Sequence, residues 1–393
     1  MSRLGIAIIG ASARSTMMFG HLKKRPEDGF VTGAYDIIPE RAKYILEHYE
    51  VPDAIVYDSL EQAVSDPRAD AAFISTTDCA HAECSIAALR AGKHVFCEKP
   101  MALSVGECDA VMDAAKDARG IFYLGMNLRH GPVHETLHEI LASGQLGKLL
   151  SIEANEYYHG GRTYFRRWNR LRKFGGGLWI TKACHDFDLL NWMAGGGAKR
   201  VFATSSLSYF KPKPQAGTHC RQCSIASQCP DCLDVEVHKG WVTVGLAAIT
   251  EQATGVPRDL CLYNSDKDTF DNAIAVVDYD NDVRATYTVN VVSPRNTRQM
   301  RLMGTDGAAE GDMQTGIVTV WPGHAKDKIV HDMTERMKSG HGGADAGIVA
   351  DFLRCCRTGD KPRSSWQEGR ASVQLGLAAR QSCDTGKPVT IPD

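Results

Sequence analysis

The stretch AGKHVFCEKPMALS, residues 91–104, passes a helix-stopping glycine, runs through the apolar tetrad HVFC and ends on Glu98-Lys99-Pro100. A buried strand that stops at an ion pair and a proline holds a cation at a fixed point, because proline restricts the backbone after Lys99. The residues before it repeat the pattern. LGIAIIG (4–10), VTGAYD (31–36), AIVY (54–57) and DAAFIST (70–76) are short apolar runs, each followed by helix-compatible sequence. Pro39 opens one helix, and Ser59/Gln62 and Ser104/Glu107 have the spacing of capping boxes. IFYLGMN (121–127) closes the series. Strands alternating with helices predict a parallel, doubly wound sheet with helices on both faces.

Beyond residue 127 the rhythm changes. A helical stretch, VHETLHEILASG, leads into SIEANEYY, and AIAVVDYDNDVRATYTVNVV turns over at Asp280-Asn281-Asp282. The last apolar-periodic stretch, 365–386, ends at Gly386 with Pro388 after it, which predicts a C-terminal helix. The expected fold class is α/β. A doubly wound parallel sheet occupies 1–127. A second α/β domain with a mostly antiparallel sheet occupies 128–393, with a Cys-rich insertion near 211–240.

The net charge of −2 gives no reason to expect nucleic acid. No segment approaches the apolar length of a membrane span. Arg3, LGIAIIG and Ala11-Ser12-Ala13 loosely imitate a signal peptide but read better as a first strand. Thirteen cysteines, an odd number scattered through apolar contexts, suit reduced thiols in the cytoplasm.

Gly10-Ala11-Ser12-Ala13-Arg14-Ser15 follows the first strand. A dinucleotide fingerprint wants glycines at the first, third and sixth of these places; Ser12 and Ser15 are small substitutes. Asp36 ends the second strand, where a carboxylate can bind both ribose hydroxyls and repel a 2′-phosphate, so NAD is favoured over NADP. The plainer alternative is a surface turn acid.

With GKHVFCEKP joined to ISTTDCAHAECSIAALRAG, Gly10, Asp36, the GGG-to-HDFDLLNW segment at 175–192 and the C-terminal helix, the chain resembles the Gfo/Idh/MocA family of NAD(P)-dependent oxidoreductases. The resemblance implies that Lys99 stands beside the nicotinamide and the reacting hydroxyl, where a cation stabilises developing negative charge. The bland alternative is a Glu98/Lys99 surface pair. It further implies a dinucleotide lined by Gly10, Ser12, Ala13, Arg14, Asp36, Thr76, Thr77, Asp78, His81 and Glu98. The resemblance implies an N-terminal Rossmann doubly wound parallel sheet plus a C-terminal α/β domain whose open, mostly antiparallel sheet often mediates oligomerisation, so a homo-dimer or tetramer is expected.

In the family a GGG stretch leads to a helix bearing Asp, His four residues on and Asp three further. Here His185 and Asp188 match, and Thr181 stands in the first acid's place. On this reading His185 is the general acid/base, Asp188 holds it and faces the substrate side, and Lys182 supplies charge that Thr181 lacks. Asn127 and Arg129 fall where the family places cleft residues. Tyr157 ends the first strand of the second domain, and GGRTYFRRWNRLRKFGGG (160–177) interleaves aromatics with arginines, Arg166 and Trp168 among them. Such a loop binds a sugar face, with or without an anionic group, or is a solvated basic loop.

Cys220-x2-Cys223-x5-Cys229-x2-Cys232, with His219 and His238 nearby, has two CxxC units that could wrap a structural zinc; an empty or oxidised cluster is the alternative. The expected function is NAD-dependent oxidation of a secondary hydroxyl on a sugar or cyclitol. Two rivals remain: an NAD-dependent glycosidase working by transient oxidation and elimination, and a non-catalytic dinucleotide-binding regulator.

Overall fold

The computed structural model describes residues 3–237, 240–323, 326–338 and 340–392. Six strands form the first sheet: β1 (Leu4–Ile9), β2 (Gly29–Tyr35), β3 (Ile55–Val56), β4 (Ala71–Ile74), β5 (His94–Cys97) and β6 (Phe122–Leu124). All pairs are parallel, in the order β3-β2-β1-β4-β5-β6. The strand order reverses between β1 and β4, and a crevice opens at the carboxyl ends of strands at such a point.

The crossover helices are α1 (Thr16–Lys24), α2 (Pro39–His48), α3 (Leu60–Ser65), α4 (His81–Arg90) and α5 (Val105–Lys116). Their starts follow from local chemistry. Ser59 accepts from the Gln62 amide and Ser104 from the Glu107 amide, which satisfies N–H groups that the helix itself leaves unpaired. The apolar run at 4–10 is β1, buried throughout.

The second sheet has nine strands: β7 (Leu149–Tyr157), β8 (Ala198–Ser206), β9 (Asn272–Tyr279), β10 (Arg284–Asn290), β11 (Thr297–Gly304), β12 (Ala308–Asp312), β13 (Ile317–Trp321), β14 (Ile329–Asp332) and β15 (Val389–Thr390). Their order is β14-β13-β12-β11-β7-β10-β9-β8-β15, and β7–β10 is the one parallel pair among those described. The β9–β10 hairpin turns at Asp280–Asp282, with Asp282 at φ +67°.

The remaining helices are α6 (Pro132–Ala142), α7 (Arg162–Arg166), α8 (Arg172–Gly175), α9 (Leu178–Thr181), α10 (Cys184–Ala194), α11 (Val242–Thr254), α12 (Ala344–Thr358) and α13 (Trp366–Thr385). One face of the second sheet, carrying Ala154, Val201, Val277, Tyr287 and Leu302, is buried with residues of α6, α10 and α13. The other face exposes Leu150, Phe202, Ile274, Val276, Met303 and Trp321.

Two late helices tie the halves together. Ile348, Val349, Phe352 and Leu353 of α12 share a core with Ile6, Phe96 and Tyr123 of the first sheet. From α13, Val373 enters the β4–β5 core while Leu375, Ala378 and Ala379 enter the second. Ser365 and Glu368 complete the capping box that starts α13, and Gly386 ends it at φ +66°. Among the described residues no helix is long and apolar enough to cross a membrane.

Candidate active site

The crevice is built first by the turn after β1. Gly10 has φ +92°, and a Cβ there would lie 2.6 Å from the Thr76 amide nitrogen, so only glycine lets the two turns touch. Ser12 and Ser15 close the turn on itself: Ser15 Oγ donates to the Ser12 carbonyl (2.8 Å) and Ser12 Oγ accepts from the Arg14 amide (3.1 Å). Asp36 accepts from the Ala11 amide (2.9 Å) and the Ile38 amide (3.0 Å), so its carboxylate is held at the mouth of this turn.

Arg14 turns away from the glycine turn. Its guanidinium donates to Glu98 (2.8 Å) and to both oxygens of Asp345 (3.2 Å each), and Asp345 also accepts from Asn127 Nδ2 (2.7 Å). Burial pushes the Asp345 carboxyl up, but His341 and Arg14 outweigh it and hold the group well below its usual range. His341 lies in the GHGG stretch at 340–343 with φ +49°, a left-handed conformation that a residue with a Cβ rarely adopts.

Lys99 extends from the end of β5 across the crevice. Its ammonium donates to the Thr181 carbonyl (2.8 Å), in the turn that leads into α10. Glycines make that turn: Gly176 and Gly177 have φ +71° and +81°. His185 opens α10. Burial first, and the Lys99 ammonium second, hold its imidazole well below the ordinary histidine range. The neutral ring leaves Nδ1 buried without a partner.

Three more buried polar atoms near the carboxyl ends of the first sheet lack partners: Asp78 Oδ2, His81 Nε2 and Asn127 Oδ1. His81 Nδ1 lies 2.7 Å from the Pro100 carbonyl and must donate to it, which makes Nε2 an acceptor. Unsatisfied buried groups are rare and need an explanation. A glycine cradle, a carboxylate at the end of β2 and this set of orphaned atoms fit a dinucleotide.

Residues 4–126 match the family description "Oxidoreductase family, NAD-binding Rossmann fold", and residues 138–391 match its C-terminal alpha/beta domain. The chain belongs to the Gfo/Idh/MocA oxidoreductase family. Among curated relatives of this family, YteT of Bacillus subtilis, a protein named only as an oxidoreductase, is 27% identical over 98% of this chain and 97% of its own. Myo-inositol 2-dehydrogenase of Thermotoga maritima is 24% identical over 99% and 98%. A levoglucosan dehydrogenase solved with NADH and levoglucosan has the same fold, with TM-score 0.78 at 16% identity over 100% of both chains.

Within the Gfo/Idh/MocA frame, several expected site residues are directed elsewhere. Asp188 does not hold His185: both its oxygens accept from Arg129, at 2.8 Å each, and the pair is buried. Arg129 also donates to the Arg363 carbonyl (3.1 Å) and lies over the Trp192 ring. Helical spacing put Asp188 near His185, yet the stronger bidentate partner comes from the turn after β6. Tyr157 is not brought in either. Strand alternation sends it to the face opposite Glu156, and Tyr158 instead lies under the Lys182 ammonium, 4.3 Å from its ring centre.

Lys182 donates to Glu156 (2.6 Å) and faces His185 through charge alone. Glu156 also accepts from Arg298, which pairs with Asp186 (3.1 Å), and Asp186 accepts from Tyr287 (2.7 Å). This buried quartet of two cations and two carboxylates was not foreseen, because Glu156 and Arg298 sit in unremarkable strand sequence.

Four of the five arginines of the 160–177 loop are tied to an acid's carboxylate or backbone carbonyl. Arg162 reaches Asp231, Arg170 reaches Asp266 (2.9 Å) and Arg172 takes the Asp268 carbonyl (2.6 Å). Arg166 is not a site residue by position: it donates to the Asp231 carbonyl and lines the cysteine loop. Arg167 has no acidic partner among the described residues, and Tyr158 and Tyr164 flank it. Trp168 packs beside Gly175, and Asn169, not foreseen, donates to Thr181 Oγ1 (3.3 Å).

The expected zinc site is not supported. Cys220, Cys223, Cys229 and Cys232 line one small cavity with His219, but among the described residues no group of three or more His, Cys, Asp or Glu is arranged to hold a metal ion. The Gly217 and Leu233 amides donate to Cys223 and Cys220 sulfur (3.2 and 3.4 Å), so the loop is tied by its own backbone. His238 lies outside the described residues.

Proposed function

We propose that this chain is an NAD-dependent dehydrogenase of a secondary hydroxyl on a sugar or cyclitol. The observation that carries the reading is the meeting of Lys99, from the first domain, with the turn that carries His185 from the second. When bound, NAD supplies the hydride acceptor. Neutral His185 takes the hydroxyl proton at its free Nδ1, and the Lys99 ammonium stabilises the negative charge developing on the oxygen. Lys182, committed to Glu156, acts by charge in keeping His185 neutral. Asn127 and His81 are read as the groups that seat the nicotinamide end, and Asp36 as the ribose ligand.

The relatives named for myo-inositol and levoglucosan support a ring hydroxyl as the target. An acidic substituent on that ring would find Arg167 as its cation. The apolar outer face of the second sheet is read as the surface through which copies of the chain assemble, and thirteen unpaired cysteines suit a reducing cytoplasm.

The test is NADH formation from a panel that includes myo-inositol, levoglucosan and glucuronate. A turnover that collapses in Lys99→Ala and His185→Ala supports the reading. Glycoside cleavage with no net NADH would favour the transient-oxidation rival. Tight NAD binding with no turnover on the panel would favour the regulator.

A further inference from the structure

Thr181 joins the two domains, and its hydrogen bonds have a direction. Its carbonyl accepts from Lys99 (2.8 Å), and its hydroxyl oxygen accepts from Asn169 (3.3 Å). The single hydroxyl proton is therefore free for another acceptor, and the Lys99 ammonium and the Thr181 hydroxyl both lower the Asp78 carboxyl against its burial. Asp78 stands at the turn between β4 and α4, is buried, and leaves Oδ2 with no partner. A buried carboxylate without compensation is costly, so a nearby cation is required. The groups that face it are Lys99 and Glu98 after β5, Cys97 on β5, Cys184 on α10 and Tyr164 on α7. Of these only Lys99 carries positive charge.

We infer that Asp78 is a positioning residue for Lys99: by its charge, and through the Thr181 hydroxyl, it keeps the ammonium aimed at the reacting hydroxyl. The inference rests on the dehydrogenase reading above and gives Asp78 a task beyond lining the dinucleotide. The proton count is unchanged by it. Substrate loses a hydride to NAD and a proton to His185, Lys99 stays an ammonium, and Asp78 neither gains nor loses a proton.

The experiment compares wild type, Asp78→Asn and the double variant Asp78→Asn/Thr181→Asp on the sugar or cyclitol from the panel that gives NADH. Asp78→Asn is expected to lose on the order of 10²-fold in kcat, the scale of a misaimed catalytic group and a larger change than any in KM for NAD. Burial pushes the Asp78 carboxyl up to about 7, so the wild-type kcat/KM should rise with pH through that value. That limb should vanish in Asp78→Asn. The double variant, which returns a carboxylate from the Thr181 side, should recover at least about tenfold of the loss.

An active wild type whose Asp78→Asn variant keeps its kcat and its limb overturns the inference and leaves the dehydrogenase reading standing. A wild type that oxidises nothing on the panel overturns both. If circular dichroism shows Asp78→Asn unfolded, Thr181→Val reads the same contact: it removes the donor to Asp78, so kcat should fall and the limb move to higher pH. A Thr181→Val profile identical to wild type likewise overturns the inference.

Discussion

Burial sets the proton chemistry of His185 before any partner does, and Lys99 adds to it. Both effects disfavour the imidazolium, so the free enzyme carries a proton acceptor at neutral pH. In 15N-histidine spectra the His185 ring should titrate below the ordinary value near 6.5. Lys99→Met removes a repelling cation, so that midpoint should move up; a midpoint that stays put would deny the contact. The buried quartet makes the second prediction at this scale. Arg298→Met leaves Glu156 and Asp186 to share Lys182, and an uncompensated buried charge costs about 3–5 kcal/mol. Urea unfolding should show that loss, whereas Lys182→Met, which keeps the Arg298 pair, should cost less and act mainly on turnover. At the residue scale the chain was legible where a motif fixes one position, as at Lys99 and His185. It was not legible where the deciding partner is remote in sequence: Asp188 meets Arg129 across 59 residues, and Lys182 meets Glu156 across 26.

Elements aim the residues. Lys182 and Ala183 interrupt the helix between α9 and α10, so Thr181 and His185 belong to different turns and point their groups separately. This break rests on α13 through Gly376. A Cβ there would lie 2.7 Å from the Trp179 carbonyl oxygen and 2.7 Å from Ile180 Cδ1, so Gly376→Ala must push α9 away. Because the first of those contacts is backbone, a rotamer change cannot relieve it. We expect Gly376→Ala to reduce kcat about 10-fold or more, with NAD affinity spared, since displacements on the order of 1 Å already impair catalysis. Steady-state kinetics beside NAD titration checks this. Helix starts and hairpins were readable from caps and turn residues. Which side of β7 meets the crevice was not, because alternation names two faces and only packing chooses between them.

At the scale of the whole molecule, α12 covers the first sheet and α13 enters the cores of both halves, so the cleft walls are held from behind. The outer face of the second sheet stays apolar at Phe202, Ile274 and Val276, with Phe202 opposite Val276 across β8 and β9. A large exposed apolar patch marks an interaction surface. Charged substitutions Phe202→Glu and Ile274→Glu together should shift light-scattering mass toward the monomer while leaving the fold intact by circular dichroism. A native protein already monomeric would sink the assembly reading.

The alternating strands and helices, the glycine turn at Gly10, the EKP strand end and the GGG turn before His185 are local patterns, and local sterics and hydrogen bonding suffice to read them. The pairing of charges is different. Whether a buried cation faces substrate, a carboxylate or nothing depends on which distant segment arrives first at its tip, and desolvation makes that choice worth several kcal/mol. Tertiary structure therefore decided that the loop arginines are mostly spent on Asp231, Asp266 and Asp268, that four cysteines share a cavity in which no metal-holding group is arranged among the described residues, and that the Lys99 ammonium ends on the Thr181 carbonyl.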